Sequence, residues 1–309
     1  MNKNSLTYQY LSDSIPFQRD GKTLLSLGFY ITFYFGNCDT QENRQAIVQL
    51  CNEYQALCGE HLKWQTHPTN FNWKSIKEDY STEHWILKNP EKRVVWQVTM
   101  HGGETFDESS PYRLDTLGYP DPDRRLSYFT VGLPFDWFAD PNREGPVEMV
   151  TRWAGILKPL HGTAGITVMS SMHRSLEMST AKDVYALAKR FPGLEYNSPL
   201  SHVMYAKKKI KSVNWLTVIN DQFVEQLGGV DKLENTLAED DAVQLHSYTD
   251  GVVVQAGPHP EIGDVNLKLF PEHYKTVNKA MKTIRIGEEH KPFIGFGHEE
   301  TQKWLARFD

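Results

Sequence analysis

Leu24-Leu-Ser-Leu-Gly-Phe-Tyr-Ile-Thr-Phe-Tyr-Phe35 is rich in aromatic and branched side chains and stops at Gly36-Asn37, which predicts a strand. Its twelve residues include Ser26, Gly28 and Thr32, too short and too polar for a bilayer-spanning helix of about 20 residues. Beyond it, Asp39 and Thr40 can cap a helix in which Ile47, Leu50, Cys51, Tyr54 and Leu57 recur every three or four residues up to Gly59. Strands over 93–100 and 126–133, a helix over 146–157 and a strand over 162–169 follow by the same periodicities. A similar order then recurs: a strand over 212–218, a helix over 221–227, strands over 242–248 and 251–256, and a helix over 271–281. A helix over 180–189 and the loop Phe191-Pro-Gly-Leu194 join the two series. The expectation is an α+β protein whose mainly antiparallel sheet carries helices on one face. It is one unit or two similar halves, 1–175 with a long acidic loop and 176–309.

The chain has 309 residues, 39% of them apolar, which is enough buriable surface for a folded protein. Its 33 basic and 39 acidic residues leave a net charge of −6, so no overall positive field draws it to nucleic acid or anionic lipid. The start, residues 1–16, lacks the basic flank and apolar core of a secretory signal, so a cytoplasmic protein is expected. Cys38, Cys51 and Cys58 are odd in number and widely spaced, which predicts reduced thiols.

Known chemical motifs are not found. His101-Gly102-Gly103-Glu104 has paired glycines that can present N–H groups to an oxyanion, but no Gly-x-Ser-x-Gly accompanies it, so a turn is expected. Cys38 and the Ser170-Ser171-Met-His173 cluster carry no local signature of an activated nucleophile. No His-Glu-x-x-His, close cysteine pairs or calcium-loop spacing around Asp121-Pro-Asp123 announces a metal. Gly295-Phe-Gly297 lacks the third glycine of a nucleotide fingerprint. Lys207-Lys-Lys-Ile-Lys211 is the one basic run and is expected to be a solvated edge. No catalytic residue, cofactor, metal, membrane or direct nucleic-acid contact is therefore predicted.

Charge is concentrated instead. Between Glu104 and Glu148 ten acids face four bases, a surplus equal to the net charge of the whole chain. The first half of that segment reads as a twenty-residue loop with Pro111, Gly118, Pro120 and Pro122, and long loops are often functional. It carries Glu104, Asp107, Glu108, Asp121 and Asp123 among the aromatic Phe106, Tyr112 and Tyr119. Glu239, Asp240 and Asp241 form a second acidic knot. Acids interleaved with aromatic anchors suit docking to a basic protein surface, and a solubilising surface accounts for them as well.

The stretches Arg190-Phe-Pro-Gly-Leu194, Ile210-Lys-Ser-Val-Asn-Trp-Leu-Thr217, Val252-Val-Val-Gln-Ala-Gly-Pro258, Gly263-Asp-Val-Asn266 and Trp304-Leu-Ala-Arg-Phe-Asp309 together resemble a bacterial immunity family. Its members are associated with type VI secretion, and the named branch, TsiV, protects against effectors with a VRR-NUC nuclease domain. The resemblance covers 190–309 and, more loosely, the Tyr128 to Pro134 strand and the Leu160-His-Gly-Thr-Ala-Gly165 turn. It implies a cytoplasmic protein that binds a cognate type VI toxin, a nuclease, and masks its cleft. By their residue types the matched motifs read as scaffold: Trp215 and Leu216 seat a strand, the glycines make turns, and Trp304, Leu305 and Phe308 pin the chain end. An enzyme assembled from His101, Asp121, His161 and His173 is one alternative, and an adaptor of the secretion machine is another.

Overall fold

The computed structural model describes residues 11, 15, 17–66, 72–77, 82–87, 94–287 and 290–309; Arg93, where one predicted strand begins, lies outside them. The opening apolar run becomes β2 (Lys22–Phe35), buried along nearly its whole length. Neighbouring strand residues point to opposite faces, so a run that is apolar on both must be covered on both. Accordingly β2 lies inside the sheet, paired antiparallel with β7 (Ser127–Pro134) and β8 (His161–Ser170). Each phenylalanine it buries contributes about 1.5–3 kcal/mol.

Among the described residues, eleven strands form one sheet with antiparallel ladders. From one edge the order is β10 (Val243–Tyr248), β11 (Gly251–Ala256), β9 (Leu216–Asn220), β8, β2, β7, β6 (Arg113–Gly118), β5 (Trp96–His101), β3 (Trp64–Thr66) and β4 (Trp73–Ser75). A short β1 (Phe17–Arg19) is paired on β2. This is the expected α+β class with a mainly antiparallel sheet. The sheet runs past residue 175 without a break, because β8 pairs with β9.

Helices, expected on one face, cover both. Phe129 and Thr130 are adjacent in β7 and therefore face opposite ways. Phe129 meets Trp153 of a helix at Pro146–Leu157, edge to face at 5.9 Å. Thr130 instead accepts from Asn197, in the segment between the helices Arg174–Arg190 and Pro199–His202. Helix α1 (Gln41–Cys58) starts where predicted, with Thr40 Oγ1 accepting from the Asn43 N–H. Its Tyr54 hydroxyl donates to Gly132 O of β7 at 2.6 Å. Cys38, Cys51 and Cys58 are free thiols, all buried.

The quoted motifs of the second half converge in the core. Glu195 accepts from Lys211 and from Asn214 Nδ2 at 3.0 Å, and Arg307 lies 3.8 Å away. Arg190 pairs with Asp264 at 2.9 Å, and Arg285 with Asp309 at 2.8 Å. Gly193 is required by close approach: a Cβ there would stand 1.9 Å from the carbonyl oxygen of Glu261. Lys211, expected on a solvated edge, is instead 4% exposed, because Glu195 supplies its counter-charge inside the core.

Candidate functional site

The long acidic loop is not one loop. Arg113–Gly118 is strand β6, whose apolar Leu114 and Leu117 are too few to stand out between turn residues, and it divides the segment in two. Residues 102–112 join β5 to β6 at one end of the sheet, and residues 119–126 join β6 to β7 at the other. About 20 Å of extended chain separates them. The Glu239-Asp240-Asp241 knot precedes β10 and so shares the first end, but six inter-strand steps, roughly 29 Å, lie between β10 and β6. The predicted acids therefore form three sites.

The loop over 102–112 is fixed to the sheet by its own polar groups. Ser109 N–H donates to Thr23 O at 2.8 Å, and its hydroxyl donates to Met169 O at 2.6 Å while accepting from Ser26. Arg113 reaches Ser110 O and Ser170 O, and Ser171 Oγ donates to Asp107 O. Glu108, only 7% exposed, accepts from the backbone N–H groups of Thr23 and Thr105, so it closes the loop and does not face solvent. Asp107 is tied to Lys22 at 2.6 Å and to Thr105. Against the opposing effect of burial, these bonds hold its carboxyl below the usual range. Outward remain Glu104, bridged to Lys63 at 2.5 Å, and Phe106, 38% exposed, edge-on to Trp64 and His173.

Tyr112 ends this loop. Its ring stacks on His61 at 4.2 Å and meets Trp137 edge-on at 6.2 Å, and burial raises its hydroxyl pKa. A cleft of about 480 Å³ on one side is lined by residues including Thr23, Leu27, Gly103, Pro111 and Phe135. A second, of about 350 Å³, is walled by Leu57, Glu60, His61, Asp136, Trp137 and Arg143. Tyr112 lines both. Of this second group Asp136 and Arg143 were counted among the charges of the 104–148 segment, and Leu57 was expected on the buried side of α1; it is exposed. No local pattern marks the group, because the exposure of Leu57 at the last helical turn follows from what packs around it and not from its periodicity.

The other predicted residues lie elsewhere. Tyr119 has Arg125 over its ring at 5.4 Å, Asp121 O accepts from the N–H groups of Arg124 and Arg125, and Asp123 O accepts from Lys207. Asp121 and Asp123 border an open hollow with Asn37 and Pro120. Glu239 pairs with Lys279, and Asp240 with His273 at 2.7 Å, which lowers its carboxyl pKa against burial. Asp241 is exposed.

The residues of the enzymatic alternative are divided between the two ends. His101 is buried, its Nδ1 accepts from Gly103 N–H and its Nε2 donates to Phe106 O at 3.0 Å, a neutral tautomer. Burial and the nearby Arg113 pull it down to about 4. The Gly102 N–H is likewise taken, by Tyr112 O, so this pair of glycines presents no free oxyanion donors. His161, at the far end, bonds Ala206 O at 2.7 Å and is pulled down to about 4 by burial. Among the described residues no three His, Cys, Asp or Glu side chains group as a metal site, and no helix is long and apolar enough to cross a membrane.

Comparison with known proteins reaches beyond the motifs. The family model TsiV, "Type VI immunity for VRR-NUC", matches residues 46–308, taking in the N-terminal part where no motif was recognised. A solved structure, Pseudomonas aeruginosa T6SS protein PA0821, shares the fold at a TM-score of 0.83 and 22% identity, over 99% of this chain and 90% of that one. No curated protein matches. With 46–308 covered by the model, the chain belongs to the TsiV family of type VI immunity proteins.

Proposed function

We propose that this protein binds a cognate type VI effector, a VRR-NUC-type DNase, in the cytoplasm and neutralises it without catalysis by occluding its active or DNA-binding cleft. The family match over 46–308 carries this reading. The sheet end around Glu104, Phe106 and Tyr112 supports it chemically. A nuclease cleft that grips DNA carries Lys and Arg against phosphate, and acids beside aromatic anchors oppose such a face. A net charge of −6 spread over 309 residues is too dilute for mimicry of DNA charge alone, so blockage by a shaped surface acts together with local charge. The pinned loop over 102–112 is ordered before binding, which removes an ordering cost from association.

Co-expression with the effector encoded beside it tests the proposal. The expected result is restored growth of toxin-expressing cells and recovery of a stable complex; absence of both association and rescue overturns it.

A further inference from the structure

We infer that the β10 edge of the sheet pairs with β10 of a second copy of this chain, antiparallel across a two-fold axis at His246. Which groups are open follows from the register. Tyr248 opposes Gly251 across a two-residue turn, His246 opposes Val253 and Gln244 opposes Gln255, and these β10 residues aim their backbone groups at β11. The alternate residues of β11 turn to β9, as where Ala256 N–H donates to Trp215 O at 2.7 Å. Val243, Leu245 and Ser247 therefore aim outward, because the direction alternates along a strand. The Val243 N–H is closed by Asp240 O at 3.0 Å. Among the described residues nothing takes the N–H or C=O of Leu245 or Ser247.

The two outer edges of the sheet differ. β4 is three residues long with Lys74 at its centre, and shortness and lysine guard an edge against pairing. β10, Val243-Gln-Leu-His-Ser-Tyr248, has no Lys, Arg, Asp, Glu, Pro or bulge. Helices at Pro146–Leu157 and Val230–Leu237 pack on it, so it is held extended beforehand and pairing adds little ordering cost. A row of open N–H and C=O groups fits another strand, and the second copy supplies one that matches. Its Ser247 pairs with Leu245 and its Leu245 with Ser247, which uses every group left open at both positions. Leu245 set on Leu245 would instead place Ser247 against Val243, whose N–H is already taken. No like charges meet along the strand. At its ends Asp241 comes near Asp250 of the second copy, and Lys158, 3.8 Å from Asp250, offsets that charge. A basic effector face would find no acid on this strand, and β6, at the sheet end assigned to the effector, is six strand spacings away, roughly 29 Å. Self-pairing and effector binding therefore do not compete.

Sedimentation velocity of the full chain over a range of concentrations is the test. One short strand edge buries less than a permanent dimer does, so a Kd on the order of 10 µM is expected. Ser247→Pro removes an outward N–H where an edge strand tolerates proline, and it should weaken association by about 10-fold or more with thermal melting unchanged. His246→Cys keeps the test decisive should the proline variant fail to fold. Across the two-fold the substituted positions form a non-hydrogen-bonded pair, with Cα atoms about 4.5 Å apart and within disulfide reach. Oxidation with diamide should therefore yield a cross-linked dimer, and Gln244→Cys, which faces Tyr248, should not give one; the native thiols are buried. A chain that stays monomeric to about 500 µM, well above the expected Kd, and gives no cross-link overturns the pairing. So does association that persists undiminished in a folded Ser247→Pro, cross-linking through Gln244→Cys in place of His246→Cys, or hydrogen exchange at Leu245 and Ser247 that slows only when the effector is added.

Discussion

Charge lies against aromatic rings both around Glu195 in the C-terminal core and around Tyr112 at the sheet end, but on different terms. In the first, Glu195, Lys211 and Arg307 are enclosed, and Arg307 also stacks over Trp304 at 3.4 Å. Each charge there has a partner, because a buried ion without one costs several kcal/mol. At the sheet end Glu60, Glu104 and Phe106 stand in solvent. Exposed pairs of that kind contribute about 0–1 kcal/mol, so these residues add little to the stability of the fold. The motif residues around Glu195 thus hold the fold, and the exposed residues of the sheet end lie outside those motifs.

The sharpest way to break this comparison is Glu195→Ala. It leaves Lys211 and Arg307 buried without their carboxylate, and a loss of about 3–5 kcal/mol in urea unfolding is expected; a loss below about 1 kcal/mol would mean the pair is not structural. Acid offers the next test. His101 and His161 have folded pKa values pulled down to about 4, below the unfolded value of about 6.5. The unfolded chain therefore binds the extra protons. Stability is full above pH 6.5 and falls as pH drops from 6.5 toward 4, by roughly 3 kcal/mol per histidine. A flat urea midpoint across that range would contradict the buried neutral tautomers.

Two substitutions within one loop sharpen the contrast further. Glu108→Gln weakens the charge-assisted bonds to the Thr23 and Thr105 N–H groups, and about 2 kcal/mol should be lost. Glu104→Gln, four residues earlier, touches only the exposed Lys63 bridge and should change stability by less than about 0.5 kcal/mol. Equal effects at the two positions would show that the loop is not divided into a fixing and a presenting side.

Strong local periodicity carried most of the architecture into the sequence. The apolar run that becomes β2, the capped start of α1 and the helix at Pro146–Leu157 all formed where the pattern placed them. Strand β6 escaped because its two apolar side chains, Leu114 and Leu117, stand three apart and so fall on opposite faces, and because it carries Asp115, whose carboxylate accepts from Gln97, Thr99 and Tyr128 in neighbouring strands. Those bonds are tertiary, and burial raises the Asp115 carboxyl pKa in spite of them. The same limit hid the cleft beside Tyr112. Glu60 and Asp136 are 76 positions apart in sequence, and only the sheet brings the end of α1 against the turn after β7. Lys211 was hidden for a related reason, since a lysine in a basic run signals solvent until its distant carboxylate is known.

The central claim is stoichiometric masking, and DNA cleavage by the purified effector measured against increasing amounts of this protein tests it most directly. Cleavage should fall linearly to zero at one equivalent. Undiminished cleavage at a many-fold excess of wild-type protein would contradict the account.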